Sequence, residues 1–359
     1  MIDESILTPE EQAVFALRQL YRRYGYLPYK MSKFEEFEYY IRNKDFLISD
    51  RFITFNDIGG KLLALKPDVT LSIVKSREAV PGCKQKVYYN ENIYRVDRST
   101  HRFTEMMQTG LECIGDIDLY DIYEAVSLAA QSLGLISEDF ILQISHLGIL
   151  SAVLDLVSPD PEFRQAAIGY IAEKNSHDLA RLCAAQGADA ALLTGIVSAC
   201  GSRREVLDTL EALCPYPALE ELKALSALLD GSPYAENIIF DFSVVGNMNY
   251  YNGIVFTGFI QGIDQRLLSG GQYDKLMEKL GRSGGAIGFA LYLDLLEQLP
   301  GQRRGCDVDV LLLYDDPARV PAAVERLTAA GMTVSAQKAV PDRLRYREIL
   351  DLRKEAPVC

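Results

Sequence analysis

The sequence predicts an α+β protein in which helices flank an antiparallel sheet. Segment 86–96 alternates and is rich in Tyr and Val, and segment 106–115 follows a polar loop as a returning strand. Strand-like segments stop near residue 146, Ala and Leu at helical spacing take over, and strand-like segments then resume. We therefore expect a core, residues 1–305, with a helical insertion at about 147–232. A strand–helix–strand pattern in 306–359 predicts a short C-terminal α/β segment.

Local signals place the elements that precede the insertion. Thr8 is an N-cap candidate with Pro9 at the first helical position and Glu10 and Glu11 in the first turn, which predicts a helix over 8–24. The other expected elements are a hairpin of 52–55 and 62–65, a helix after Pro67, a helix over 119–134 closed by Gly134, and a strand over 140–146.

The chain after the insertion returns to strand-like patterns. We expect strands within 238–245, 250–260 and 266–274, because apolar and aromatic residues dominate these segments. A helix is expected from residue 274, and a second, apolar helix over 291–299 follows a glycine-rich stretch.

Composition excludes several classes of function. The net charge of −13 argues against a nucleic-acid partner, because RNA-binding surfaces usually carry a basic face. Seven scattered cysteines without a Cys-x-x-Cys pair, and only three histidines, predict neither a disulfide framework nor a metal site. The sequence has no apolar run long enough for a membrane span and no secretory pattern at its acidic start, so we expect a cytoplasmic protein without a membrane partner.

Four segments occur in an order that resembles class II aminoacyl-tRNA synthetases, and histidyl-tRNA synthetase in particular. Residues 91–115 resemble motif 2 of that family, with its arginine, loop and Q-x-G-x-E strand. The histidine-binding signature and the G-G-R-Y-D signature are matched by 247–256 and 269–281, and 64–76 is similar to the L-R-P-E-x-T segment. The resemblance spans 8–299 and implies a class II synthetase-like antiparallel sheet flanked by helices.

The resemblance also marks a histidine-binding pocket. A guanidinium suits a carboxylate or phosphate because it offers two parallel donors, and tyrosines supply both aromatic walls and hydroxyl groups. Taken singly, each of these residue types is more typical of packing or surface ion pairs, so the prediction depends on their joint order. The residues that match are Asp68, Thr70, Arg95, Gln108, Glu112, Tyr250, Tyr251 and Tyr273.

Departures from the family's pattern fall on the ATP side. Gly246 and Leu295 stand where the synthetases have arginines that stabilise charge during adenylate formation and clamp the γ-phosphate. Tyr292 replaces a glycine, Asn249 an aspartate and Gln272 an arginine. Because each lost charge typically lowers the rate by about 10²–10³-fold, we expect no catalytic residues, no cofactor and no adenylation.

The combination of a retained amino-acid pocket with lost ATP-side arginines resembles the regulatory subunits of ATP phosphoribosyltransferase, a synthetase-like family. The resemblance implies a protein without catalysis of its own that partners the short-form catalytic subunit in the first step of histidine biosynthesis. It further implies histidine as a feedback effector, a homodimer through the synthetase-like core, and a hetero-octameric assembly. A divergent histidyl-tRNA synthetase and an orphan paralogue with another partner remain open alternatives.

Overall fold

The protein was analysed as a computed structural model that describes residues 7–44, 52–76, 82–96, 101–213, 217–248, 250–299 and 305–353. The chain divides into two compact units, Met1–Leu299 and Pro300–Cys359. Part of the motif 2 loop, residues 97–100, and Asn249 lie outside the described residues.

The larger unit combines strands, helices and 3₁₀ segments at Ala235–Asn237 and Leu293–Gln298. Within the described ranges, its strands are β1 (Leu27–Pro28), β2 (Phe34–Glu36), β3 (Thr54–Asn56), β4 (Leu62–Leu65), β5 (Gln85–Val96), β6 (Phe103–Gly115), β7 (Phe140–His146), β8 (Cys200–Gly201), β9 (Ile238–Asp241), β10 (Ile254–Ile260), β11 (Leu268–Gln272) and β12 (Gly285–Tyr292). Its helices over the same ranges are α1 (Pro9–Arg23), α2 (Phe37–Arg42), α3 (Thr70–Ser76), α4 (Leu119–Gly134), α5 (Leu147–Val157), α6 (Pro161–Ala172), α7 (Ser176–Ala185), α8 (Ala191–Ser198), α9 (Arg203–Leu213), α10 (Pro217–Leu229) and α11 (Asp274–Lys279).

The first helix begins where the capping signals predict. The Glu11 amide donates to Thr8 Oγ1 at 3.3 Å, and the Thr8 amide donates to Glu11 Oε2 at 2.8 Å, which forms a capping box. Leu17 and Tyr21 of the same helix are fully buried against the large sheet. The N-cap and the apolar spacing together confirm the predicted helix.

Nine of the strands described above form a large mixed sheet in the order β1-β5-β6-β12-β11-β10-β7-β9-β8, and the other three form a separate antiparallel sheet in the order β2-β4-β3. Neighbouring strands from β5 to β7 in that order are antiparallel, as predicted, while β1 pairs with β5 and β7 pairs with β9 in parallel. The β7–β9 pair is parallel because the helical insertion, α5 to α10, provides the long crossover that such a pair requires.

Alternation along β6 divides the core between the two faces of this sheet. Leu111 and Cys113 belong to the hydrophobic cluster that contains α1 and α4. Gln108 and Glu112 lie on the opposite face, because side chains two or four positions apart in a strand share one face. That second face, with Tyr89 of β5, carries the candidate site described below.

Four expectations differ from the structure in detail. The helix expected over 291–299 begins late, because Leu291 and Tyr292 still pair with Thr109 and Gln108 of β6 and extend β12. The strand expected at 238–245 ends at Asp241, and the strand expected at 250–260 begins at Ile254. Gly134 is the last residue of α4, but its role is close approach, since a Cβ there would lie 2.7 Å from the Tyr234 ring.

The smaller unit contains the predicted strand–helix–strand pattern and one further strand. Among its described residues, β13 (Val308–Leu313), α12 (Val320–Ala329), β14 (Val334–Gln337) and β15 (Tyr346–Asp351) are present. Both outer strands pair in parallel with β13, in the order β14-β13-β15. Across the described part of the chain, none of the helices has the length and apolar character that crossing a membrane requires.

Candidate functional site

A cavity with about 580 Å³ of empty space opens on the second face of the large sheet. We call it the Glu112 cavity, after its most buried carboxylate. All eight residues marked by the sequence contribute to its lining: Asp68, Thr70, Arg95, Gln108, Glu112, Tyr250, Tyr251 and Tyr273. The structure therefore brings together side chains from five separate segments of the chain.

The strands position the floor of this cavity. Gln108 and Glu112 project from β6 on the same side, and Gly288 of β12 lies opposite Glu112 in the ladder. A Cβ at residue 288 would lie 1.7 Å from Glu112 Oε2, so only glycine allows the carboxylate to occupy this place. The glycine-rich stretch of β12 thus makes room for a buried acidic side chain.

Glu112 is buried, with 1% of its surface exposed, and both of its oxygens accept hydrogen bonds. Thr70 Oγ1 donates to Oε1 and the Tyr273 hydroxyl donates to Oε2, each at 2.6 Å. Burial raises the pKa of Glu112 to about 8, although both hydrogen bonds oppose the shift and the charge of Asp68 adds to it. The carboxyl group is therefore largely protonated near neutral pH and is suited to share a proton with a bound base.

Asp68 provides a second carboxylate at the start of α3. Its Oδ1 accepts a 2.9 Å hydrogen bond from the Leu71 amide, which fixes its orientation. Burial raises the pKa of Asp68, and the Leu71 amide and the charge of Arg95 partly offset that effect. Two carboxyl groups and one arginine give this cavity the capacity to bind a ligand that carries both an ammonium group and a carboxylate.

Arg95 and Lys66 fix the segment that carries Asp68. Arg95 Nε donates to the Pro67 carbonyl at 3.1 Å, and Lys66 Nζ lies 2.9 Å from Glu91 Oε2. Only 1% of the Lys66 side chain is exposed, and burial lowers its pKa despite the opposing effect of Glu91. Sequence reasoning missed this ion pair, because the two residues are distant in sequence and neither was marked as a pocket residue.

Aromatic side chains form the remaining wall. The rings of Tyr250 and Tyr251 lie edge to face with centroids 4.6 Å apart, and the Tyr250 and Tyr273 centroids are 5.6 Å apart. Burial raises the pKa of all three phenols, so their hydroxyl groups stay protonated and can act as hydrogen-bond donors. Such a wall suits a flat, polar ring.

Several lining residues were not predicted. Tyr89 lies on the same face of β5 as Arg95, and Ser269 pairs with Ala290 of β12, so strand alternation could have placed both in the site. Asn247 and Tyr292 also line the cavity. Tyr292 was missed because the sequence placed it in a helix rather than at the end of β12.

Comparison with known proteins defines the family. The family model described as histidyl-tRNA synthetase matches residues 5–296, which is most of the chain. The chain belongs to the histidyl-tRNA synthetase family. The part of the chain that matches contains the large mixed sheet and the whole Glu112 cavity.

Relatives within this family carry two different names. The chain is 29% identical over 273 residues to an ATP phosphoribosyltransferase regulatory subunit from Bacillus subtilis, covering 71% of this chain and 68% of that protein. It is 30% identical over 287 residues to a histidine–tRNA ligase from Methanocaldococcus jannaschii, covering 77% of this chain and 68% of that protein. Family membership is therefore shared by enzymes and by subunits of another enzyme.

Solved structures share the fold. An ATP phosphoribosyltransferase regulatory subunit/histidyl-tRNA synthetase from Bacillus halodurans superposes with a TM-score of 0.76 at 24% identity, covering 97% of this chain and 95% of that chain. A chain of the ATP phosphoribosyl transferase (HisG:HisZ) complex from Thermotoga maritima has a TM-score of 0.64 at 19% identity and covers 79% of this chain and 97% of its own. These similarities bear out the class II synthetase-like fold.

Two positions that matched arginines of the synthetase motifs have specific surroundings in this family member. Gly246 is exposed and has a φ of +52°, a conformation that side chains other than glycine rarely adopt. Leu295 is half-buried and packs against the hydrophobic cluster on the helix side of the sheet. Neither residue lines the Glu112 cavity or provides a cation beside it.

Proposed function

We propose that this chain is a regulatory subunit of ATP phosphoribosyltransferase that binds histidine in the Glu112 cavity and has no catalytic activity of its own. The regulatory subunit from Bacillus subtilis and its homologues at similar identity support the assignment. In this role the chain is required for the first step of histidine biosynthesis, in the cytoplasm. Binding of histidine to this chain lowers the activity of its catalytic partner.

The observation that carries the proposal is an asymmetry of the site. The side that faces an amino acid keeps the buried carboxyl group of Glu112, the half-buried carboxyl group of Asp68, Arg95 and a wall of tyrosines. At the two positions where synthetases have phosphate-binding arginines, Gly246 offers no side chain and Leu295 packs into the core. A triphosphate placed there would gain no donor from either of these two positions and would still lose water, which is unfavourable.

The contacts of the cavity suggest how histidine is recognised. Asp68 pairs with the ammonium group, while Arg95 and Gln108 bind the carboxylate. The imidazole lies against Tyr251 and shares one proton with Glu112, which Thr70 and Tyr273 hold in place. Because occupation of the cavity differs between the states of the assembly, histidine shifts the equilibrium between an active and an inhibited complex.

The partner in this proposal is the short-form catalytic subunit. The Thermotoga maritima complex, which contains a chain with the same fold, supports that choice. We further propose a homodimer through the synthetase-like core, completed by catalytic subunits into a hetero-octamer.

Reconstitution tests the proposal. The purified chain is combined with a short-form catalytic subunit, and phosphoribosyl-ATP formation from ATP and phosphoribosyl pyrophosphate is measured with and without histidine. We expect no product from this chain alone, a faster reaction in the mixture, and inhibition by histidine. Glu112→Ala is expected to co-purify with the catalytic subunit but to make the mixture insensitive to histidine, and Glu138→Ala, an exposed site outside the cavity, is the control. Turnover by the isolated chain, or failure to bind the catalytic subunit, contradicts the proposal.

A second function, aminoacylation of tRNA with histidine, is favoured by the similarity to the ligase from Methanocaldococcus jannaschii. Histidine-dependent exchange of pyrophosphate into ATP separates the two functions, because it requires adenylate formation. Exchange above background establishes a synthetase, and a flat time course supports the regulatory subunit.

A further inference from the structure

A second cavity lies next to the Glu112 cavity on the same face of the sheet. It contains about 1520 Å³ of empty space and is lined by strands β10 and β11, by the segment that carries Gly246, and by Arg266. We call it the Arg266 cavity. Because both cavities lie on one sheet face, the side chains between them decide whether one ligand can occupy both.

Four side chains line both cavities and form the partition between them. These residues are Asn247, Tyr251, Ser269 and Tyr292. Within the partition, the Tyr292 and Ser269 hydroxyl groups are joined by a 3.0 Å hydrogen bond that links β12 to β11. Ser269 pairs with Ala290, so Tyr292 reaches it diagonally across the ladder. Both ends of this bond start from regular strands, so this half of the partition is a defined part of the sheet. Asn247 and Tyr251 come from the segment between β9 and β10.

Tyr292 lies at one end of the Glu112 cavity. Its partner across the ladder is Gln108, while Gly288, four residues earlier on β12, faces Glu112. If histidine binds as proposed, with its imidazole toward Glu112, its carboxylate points toward Gln108 and Tyr292. A group attached to that carboxylate would have to pass the partition and enter the Arg266 cavity.

We propose that Tyr292, held by Ser269, is a specificity determinant that restricts the Glu112 cavity to a free amino acid and excludes derivatives extended at the carboxyl group. The inference rests on the proposed function, because it takes histidine as the ligand and uses its orientation. The excluded derivatives include nucleoside conjugates of histidine, among them the aminoacyl adenylate that a synthetase would form.

Steric exclusion of this kind depends on the ring and on its fixed position. The backbone amide of Tyr292 donates to the Leu267 carbonyl at 2.9 Å, which fixes where the side chain starts, and the half-buried ring can move aside only by changing rotamer and losing the hydroxyl contact with Ser269. Removal of the ring connects the two cavities. Removal of the hydroxyl alone leaves most of the obstruction in place.

Calorimetry with two ligands tests the inference. The ligands are L-histidine and 5′-O-(N-L-histidylsulfamoyl)adenosine, a stable conjugate extended at the carboxyl group. We expect the unmodified protein to bind histidine about 100-fold more tightly than the conjugate or better, a ratio typical of a pocket that rejects a larger ligand. Tyr292→Ala is expected to reduce this ratio by about tenfold or more through tighter binding of the conjugate. Tyr292→Phe, which keeps the ring, is expected to retain most of the discrimination.

Controls separate the possible failures. Tyr120→Ala removes an exposed tyrosine outside both cavities and is expected to leave the ratio as it is. Should Tyr292→Ala fail to fold, histidylglycine bound to the unmodified protein provides the second measurement, and weak binding of this small extension supports the partition. Equal affinity of the unmodified protein for histidine and the conjugate overturns the inference, as does a folded Tyr292→Ala protein with the original ratio. If neither ligand binds, the proposed histidine site is wrong, and the specificity argument fails with it.

Discussion

The hydroxyl group of Tyr273 lies 2.6 Å from Oε2 of Glu112 and donates a hydrogen bond to it at the base of the cavity. Thr70 donates to the other oxygen, so the carboxyl group is held on both sides while the rest of it faces the empty space. Burial without a paired cation disfavours the charged form, so the carboxyl group is largely protonated near neutral pH in the free protein. A bound imidazole that takes up this proton would supply the positive charge that stabilises the carboxylate.

Tyr273→Phe is therefore expected to weaken histidine binding. The substitution removes a hydrogen bond to a group that becomes charged in the complex, and such bonds contribute about 1.5–3 kcal/mol, or roughly 10–150-fold in affinity. Calorimetric titration of histidine measures the change. Tyr120→Phe, at an exposed tyrosine that is distant from the cavity lining, is the matched control. Unchanged affinity in a folded Tyr273→Phe protein would place the histidine site elsewhere.

The affinity for histidine is expected to pass through a maximum between about pH 6.5 and pH 8. Glu112 and the imidazole share one proton in the complex. Below the ordinary imidazole pKa of about 6.5 both groups are protonated and one proton must leave on binding. Above the Glu112 pKa of about 8 both have lost their protons and one must be taken up. Affinity falls in both directions for these reasons.

Titrations in buffers of different ionisation enthalpy measure the protons released or taken up at each pH. In Glu112→Gln, the affinity for histidine is expected to fall less above pH 8, because the side chain at residue 112 no longer loses a proton there. A constant affinity from pH 5.5 to 8.5 in the unmodified protein would exclude the shared proton.

Glu112 also makes the stability of the free protein depend on pH. Its pKa is about 8 in the folded chain against an ordinary value of 4.5, so the unfolded state releases the proton at lower pH. The stabilising effect is complete below about pH 4.5 and is lost as pH rises toward 8, with a slope of at most about 1.4 kcal/mol per pH unit. Urea unfolding of Glu112→Gln is expected to show a flatter decline over this interval. Glu138→Gln, at an exposed glutamate, should decline like the unmodified protein, and equal curves for all three proteins would contradict the buried acidic group.

Strand alternation and motif order placed the cavity residues correctly together, because the motifs lie on regular strands. Gln108 and Glu112 share a face at any strand position, so their convergence follows from spacing alone. Tyr292 was assigned to a helix because the apolar spacing of 291–299 fits a helix equally well. Only pairing with β6, a contact between distant segments, settles that choice. The same limit applies to the parallel pairing of β7 with β9, which depends on where the helical insertion returns the chain to the sheet.

The ion pair between Lys66 and Glu91 could not be predicted from sequence either, and it leads to a prediction about positioning. The Lys66 amide donates to the Lys33 carbonyl at 2.9 Å, and the Lys66 carbonyl accepts from the Tyr94 amide at 2.8 Å. Together with the buried ion pair, these bonds hold the chain just before Asp68 against β5. Lys66 is therefore expected to act on the ligand through the position of Asp68.

Lys66→Met is expected to destabilise the protein by about 3–5 kcal/mol, because it leaves Glu91 largely buried without its partner. In conditions where the variant remains folded, histidine affinity should fall by about fivefold or more, equivalent to ~1 kcal/mol. Lys66→Arg, which keeps the positive charge, is expected to retain much of the affinity for histidine. The double variant Lys66→Met with Glu91→Leu is expected to be more stable than Lys66→Met alone but to bind histidine no more tightly. Urea unfolding and calorimetry measure the two effects separately. A folded Lys66→Met protein that binds histidine with full affinity would show that the ion pair stabilises the fold but does not position the site.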